Sequence, residues 1–229
     1  MNYSHVFFDL DRTLWDFEKN TEETLRELYE KHFLSLYFPS FFDFHRQYKE
    51  INEKQWDLYR QGKITKDFLR ANRFYLTLKA AGVDDLSLAD TIGTEYINNT
   101  PEKTALYPHS HEILAALKPK YQLYILTNGF REVQHAKVER CRLSPYFTEV
   151  ITSEDAGFMK PDQRFFSYVL NKLNVAPEKC IMIGDDINVD IAGAQHAGID
   201  TIFYNHSRDT YTIKPTYEIT SLDQIGSIL

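Results

Sequence analysis

Five short runs rich in β-branched and aromatic residues do most to limit what this chain can fold into. They occupy residues 5–9, 122–127, 149–152, 180–183 and 201–204. Each is short and apolar enough to be a buried strand. From Gln122 onward they alternate with helical patterns over 131–142, 162–173, 188–197 and 221–229. Strand and helix alternating at short intervals predict an α/β fold, a doubly wound parallel sheet with helices on both faces.

The stretch from 16 to 102 breaks that rhythm. Asn20 is placed to cap a helix with Glu23 reaching back, and Leu25, Leu28, Tyr29, Phe33 and Leu36 follow at helical spacing before Pro39. Phe44, Tyr48, Ile51 and Leu58 mark a second helix. Ile64, Phe68, Ala71, Tyr75 and Leu78 mark a third, closed by Gly82, and a fourth covers 87–98. This is too long for a crossover, and it predicts an all-helical domain inserted after the first strand. The expected division is 1–15 with 103–229 for the core and 16–102 for the insert. Junctions near Trp15-Asp16 and Thr100-Pro101 are candidate hinges. About half of the chain's aromatic residues fall in the insert, and packing four helices together accounts for most of them.

A chain of 229 residues can bury its own core without disulfides or structural metal. Its net charge of −7 argues against a nucleic acid polymer as partner. Cys141 and Cys180 are too few for a disulfide framework or a thiolate zinc site. The N-terminus has no basic region leading into a long apolar one, and no run of about 18 apolar residues could span a membrane. These features predict a soluble, cytoplasmic protein without a membrane partner, monomeric or homodimeric.

Four polar clusters stand at the carboxyl ends of four expected strands, where ligands bind in open parallel sheets. Asp9 and Asp11 follow the first strand. Two carboxylates at this spacing can divide labour between attack or metal binding and proton transfer, although Asp is also a common turn residue. Thr127, Asn128 and Gly129 close the second strand with a hydroxyl, an amide and a flexible backbone suited to phosphate oxygens, or simply form a capped turn. Lys160 precedes Pro161 and a helix start, beside a positive helix end or as a solvated charge. Asp185 and Asp186 end the fourth strand and Asp190 follows. Their hard oxygens suit Mg²⁺, with capping of the next helix as the plainer alternative for Asp186 and Asp190.

The ordered set Asp9-x-Asp11-x-Thr13, Thr127-Asn128, Lys160-Pro161 and Gly184-Asp185-Asp186-x₃-Asp190 resembles the four motifs of the haloacid dehalogenase (HAD) superfamily, whose core is Rossmann-like. The insert resembles its C1 cap. A closer resemblance is to its pyrimidine 5′-nucleotidase branch, which removes phosphate from non-canonical nucleotides. It rests on the segment from Phe8 to Phe17, on Thr127-Asn128-Gly129-Phe130 and on the ending from Pro215 to Leu222.

The resemblance implies a phosphomonoester hydrolase with Asp9 as nucleophile and Asp11 as acid and then base. Mg²⁺ would be held by Asp9, the main-chain carbonyl of Asp11 and Asp185. Thr127, Lys160 and the backbone around Leu10, Asn128 and Gly129 would bind the transferring group, with Asp186 and Asp190 supporting. Asp11 favours phosphoryl transfer over dehalogenation, because a halide leaves without a proton. In the insert, Trp56 and Arg60, with Tyr59 between them, are candidates for contacting the leaving group, a nucleoside in the favoured reading; Trp56 in the helical core is the competing one. A sugar-phosphate phosphatase or phosphomutase would share the motifs. A phospho-accepting receiver or a non-catalytic binding module is a more distant reading.

Overall fold

The computed structural model describes residues 3–208 and 210–229. It divides into two compact units, Met1–Phe17 with Thr104–Leu229, and Glu18–Lys103.

The first unit is built on a six-stranded, all-parallel sheet. Its strands are β1 (His5–Phe8), β2 (Gln122–Thr127), β3 (Glu149–Thr152), β4 (Cys180–Gly184), β5 (Asp200–Tyr204) and β6 (Tyr217–Ile219). Their order is β3-β2-β1-β4-β5-β6, with β1 between β2 and β4 and His5 in register with both Gln122 and Cys180. Order reverses beside β1, so the carboxyl ends of β1, β2 and β4 open a crevice there. Side chains alternate across the sheet, giving two cores. Val6, Phe8, Leu123, Ile125, Ile181 and Ile183 pack on one face. Phe7, Tyr124, Leu126, Cys180 and Met182 pack on the other.

The helices of this unit are α5 (Ser110–Leu117), α6 (Arg131–Arg140), α7 (Ser153–Ala156), α8 (Gln163–Leu173) and α9 (Ala192–His196). The helix expected over 188–197 begins as a π-helical turn, Ile187–Ile191, before α9. The terminal helix expected over 221–229 is a 3₁₀ segment, Leu222–Ser227. The three-residue strand β6, too short to show alternation, and the short helices α5 and α7 were not anticipated. Where the chain leaves and re-enters this unit, its two passes are hydrogen-bonded side by side. The Asp16 amide donates to the Ala105 carbonyl at 3.0 Å and the Tyr107 amide to the Leu14 carbonyl at 2.9 Å.

The second unit holds α1 (Phe17–Lys31, whose first residue belongs to the first unit), α2 (Phe41–Arg60), α3 (Lys66–Ala80) and α4 (Leu86–Asn99). Asn20 does not cap α1. The helix starts earlier, and Asn20 is buried inside it with its carbonyl accepting from Thr24 Oγ1 at 2.9 Å. Ser40, Thr65 and Asp85 cap the next three helices. Aromatic rings join the helices: Phe38 meets Phe44, Tyr48 stacks on Phe74 and Phe74 meets Tyr96. Phe33, Leu36 and Phe68, expected on the inner face, are exposed. No helix among the described residues is long and apolar enough to cross a membrane.

Candidate active site

The crevice beside β1 gathers Asp9, Asp11, Thr127, Asn128, Lys160, Asp185 and Asp190. Lys160 lies at its centre. It precedes Pro161 through a cis peptide bond and is neither solvated nor at a helix end. Asp162, beyond the proline, caps α8 instead. The Lys160 ammonium is 1% exposed and donates to Asp9 Oδ1 at 2.6 Å, Asp190 Oδ1 at 2.6 Å and the Leu126 carbonyl at 2.7 Å. With all three of its hydrogens accepted, it is a fixed point charge.

Asp190 sits in the π-helical turn, and this local widening brings its carboxylate inward. Its Oδ2 also accepts the Asp186 amide at 3.2 Å. Gly184 makes room, since a Cβ there would lie 2.4 Å from Asp190 Oδ2. Asp190 therefore holds the Lys160 ammonium. Asp186 does not: its Oδ1 accepts the Asn188 and Val189 amides at 2.9 and 3.0 Å, which makes it the cap of that turn.

Three buried or half-buried carboxylates thus lie around one ammonium, which pairs with Asp9 and Asp190 and leaves Asp185 without it. Burial raises the Asp9 carboxyl to about 8; Lys160 opposes the rise, and the charges of Asp190 and Asp11 add to it. Burial, then Asp190 and Asp9, raise Asp185 well above the usual carboxylate range. Asp190 is raised by burial against the pull of Lys160. Burial lowers the Lys160 pKa, but its two carboxylate partners outweigh that and raise it, so it stays charged. Single oxygens of Asp9, Asp185 and Asp190 lie within 4.8 Å of one another. Both Asp190 oxygens already hold hydrogen bonds, whereas Asp9 Oδ2 accepts none among the described residues. Thr13 Oγ1 donates to Asp185 Oδ1 at 3.3 Å. Hard oxygen donors with uncompensated negative charge fit a small divalent cation such as Mg²⁺. Asp9 and Asp185 are the carboxylates of the cluster that would hold such an ion. The Asp11 carboxylate is not in this cluster.

The Thr127 hydroxyl oxygen accepts the Gly129 amide at 3.0 Å and Gln134 Nε2 at 2.8 Å. Both lone pairs are engaged, so its hydrogen is left to donate into the crevice. The Asn128 side chain is not free to bind substrate. Its Nδ2 donates to the Lys160 carbonyl and its Oδ1 accepts the Lys160 amide, both at 2.8 Å. It fixes the lysine loop, leaving only its backbone for a ligand. Leu10 is likewise restricted to its backbone, since its side chain is in the core. Gly129 has ordinary φ and is needed for space, because a Cβ would overlap the Gln134 side chain at 1.8 Å.

Two residues at this site were not anticipated. Gln134 and Lys137, on α6, each reach one oxygen of Asp11. Gln134 Nε2 donates to Oδ2 at 2.8 Å and Lys137 Nζ to Oδ1 at 2.6 Å. The sequence of α6 reads as a solvated helix, and the only available signal was their i, i+3 spacing just after Thr127-Asn128-Gly129. Trp56 and Arg60 lie on α2 in the helical unit. Trp56 is half-buried with its ring edge-on to Tyr59, and Arg60 pairs with Asp57.

The sequence model of the haloacid dehalogenase-like hydrolases matches residues 3–198. The chain is 33% identical to the HAD-hydrolase YfnB of Bacillus subtilis (strain 168) over 99% of this chain and 95% of that protein. A magnesium-bound crystal structure of YfnB superposes with a TM-score of 0.88 at 32% identity, covering 100% of this chain and 99% of that one. Pyrimidine 5′-nucleotidase YjjG of Escherichia coli (strain K12) is 29% identical over 100% and 99% of the two chains. A 2-haloacid dehalogenase from Pseudomonas syringae pv. Tomato DC3000 superposes with a TM-score of 0.70 at 28% identity, covering 99% and 97%. The parallel sheet, the four strand-end clusters and these matches agree: the chain belongs to the haloacid dehalogenase-like hydrolases.

Proposed function

We propose that this hydrolase is a phosphomonoesterase, acting as a 5′-nucleotidase on pyrimidine nucleoside monophosphates. The observation that carries the phosphatase reading is Asp11. It stands two residues after Asp9 with both oxygens held by Gln134 and Lys137, and a leaving alkoxide needs such a carboxyl group for its proton, whereas a halide leaves without one. The similarity to YjjG supports the choice of nucleotide.

In this reading a carboxylate oxygen of Asp9 attacks phosphorus as the bond to the leaving oxygen breaks, and Asp11 gives that leaving oxygen a proton. Asp11, now a carboxylate, takes a proton from water. The water oxygen bonds to phosphorus, the bond to Asp9 breaks, and phosphate and alcohol are the products. The Thr127 hydroxyl donates to a phosphoryl oxygen, and the fixed charge of Lys160 beside Asp9 stabilises the negative charge of the transferring group. Mg²⁺ held by Asp9 and Asp185, with the Asp11 carbonyl, would screen the approach of carboxylate to phosphate. None of these residues reads the leaving group, so that selection is assigned to the helical unit, as a cap.

The test is Mg²⁺-dependent phosphate release across pyrimidine nucleoside monophosphates, sugar phosphates and, as halide release, 2-haloacids. Preferred hydrolysis of the nucleotides is expected. Halide release without phosphate release would overturn the phosphatase reading, and conversion of a sugar phosphate to its isomer would make the protein a mutase. Asp9→Asn should remove activity; a loss of less than about tenfold, only about 1.4 kcal/mol of barrier, would exclude Asp9 as nucleophile.

A further inference from the structure

Helix α6 buries a polar face. Gln134 is 0% exposed and Lys137 is 3% exposed, in a helix that offers few apolar residues to a core. Burying an amide and an ammonium is unfavourable unless their hydrogen bonds are made, and both meet at one target, Asp11. The Lys137 ammonium also lies 3.8 Å from the ring centroid of the buried Trp15, so the lysine is fixed from two sides.

The Gln134 amide shows what that face is arranged for. Its Nε2 bridges Asp11 Oδ2 and Thr127 Oγ1, both at 2.8 Å, while its Oε1 is buried without a partner. Turning the amide over would set Oε1 against a carboxylate, so the orientation is dictated by Asp11. The amide leaves its own acceptor unmet in order to donate to Asp11 and Thr127.

We infer that Gln134 and Lys137 are positioning residues for Asp11, fixing its two oxygens separately and tying the carboxylate to the phosphate-binding hydroxyl of Thr127. This rests on the reading of Asp11 as the acid. With each oxygen held by a different side chain, the carboxylate plane is set before substrate arrives. Loss of either partner frees the carboxylate to rotate away from the leaving oxygen. The effect should fall on proton transfer, leaving nucleophilic attack by Asp9 nearly intact; loss of Gln134 also frees the Thr127 hydroxyl, so the variants are compared at saturating substrate.

The test compares Lys137→Met, Lys137→Arg, Gln134→Leu, Asp11→Asn and the Asp11→Asn/Lys137→Met pair, with Mg²⁺ present. Alcohol release in a single turnover is measured for uridine 5′-monophosphate and for p-nitrophenyl phosphate. Lys137→Met and Gln134→Leu should each slow the nucleotide by about tenfold or more, with the aryl ester, a better leaving group, slowed by less than about threefold. Lys137→Arg should recover most of the loss, and the double variant should be no slower than Asp11→Asn alone. A crystal structure of Gln134→Leu should show the Asp11 carboxylate displaced.

If Asp11→Asn is selective for the nucleotide but Lys137→Met and Gln134→Leu slow both esters alike, the inference is overturned and the acid role of Asp11 stands. If Asp11→Asn itself slows both equally, the acid role fails and the inference falls with it. Should Lys137→Met not fold, Gln134→Leu decides by the same criterion.

Discussion

Oxygen by oxygen, the carboxylates of the crevice differ in how fully they are occupied. Both oxygens of Asp190 and of Asp11 are held, while Asp9 keeps Oδ2 free. Asp185 is the most expendable of them for folding: among the described residues it has no lysine partner, and repulsion by Asp190 and Asp9 outweighs the pull of Arg12. Asp185→Asn should therefore stabilise the metal-free protein by about 0.5–2 kcal/mol. Thermal unfolding would show this as a rise of about 2–4 °C per kcal/mol for a chain of this size. The same variant should lose activity and most of the stabilisation that added Mg²⁺ gives the native protein. A fall in melting temperature without metal would contradict the charge-deficit account. Asp190→Asn should behave oppositely, losing about 3–5 kcal/mol in the same assay, because it strips a partner from a buried ammonium. Sequence reading placed Asp9, Asp185 and Lys160 in one crevice because each follows a recognisable strand. It missed Gln134 and Lys137 because their reason for being buried, Asp11, is remote in the chain.

Local geometry decides whether these groups meet. The end of β4 passes directly into the π-helical turn, and Gly184 leaves no room for a side chain beside Asp190. Gly184→Ala should cost about 1–3 kcal/mol through overpacking and displace the carboxylate that steadies Lys160. Activity should fall with it, and a variant with unchanged melting temperature and kcat would show that the turn yields easily. The principal strands were legible to within a residue, since short continuous apolar runs rich in β-branched and aromatic residues leave little choice. The turn's winding was not, because hydropathy is similar for α and π geometry. Asn20 misled for a related reason. It has the chemistry of a cap, yet Phe17 starts the helix a turn earlier.

At the scale of the molecule, the proposed function assigns phosphoryl chemistry to one unit and substrate choice to the other. Trp56→Ala tests the division. If the ring stacks on a pyrimidine, KM for uridine 5′-monophosphate should rise about tenfold, within the roughly 1–3 kcal/mol such stacking provides. Hydrolysis of p-nitrophenyl phosphate should hardly change. Equal losses on both substrates with a lowered melting temperature would make Trp56 a packing residue. The helical insert was legible from its interruption of the strand rhythm, but which of its faces meets a substrate was not, because rings that join helices and rings that bind bases look alike in sequence. The hydrogen-bonded passes between Leu14–Asp16 and Ala105–Tyr107 also bear on how the chain is made. Strand β1 is synthesised early, yet both of its neighbours come after the insert. On the ribosome it must wait, exposed, for partners that emerge much later. If the helices fold first, with Lys103 tied to Glu23 and Glu27 on α1, a long floppy loop becomes a short rigid one. The entropy of closing it falls accordingly, before the sheet begins to assemble.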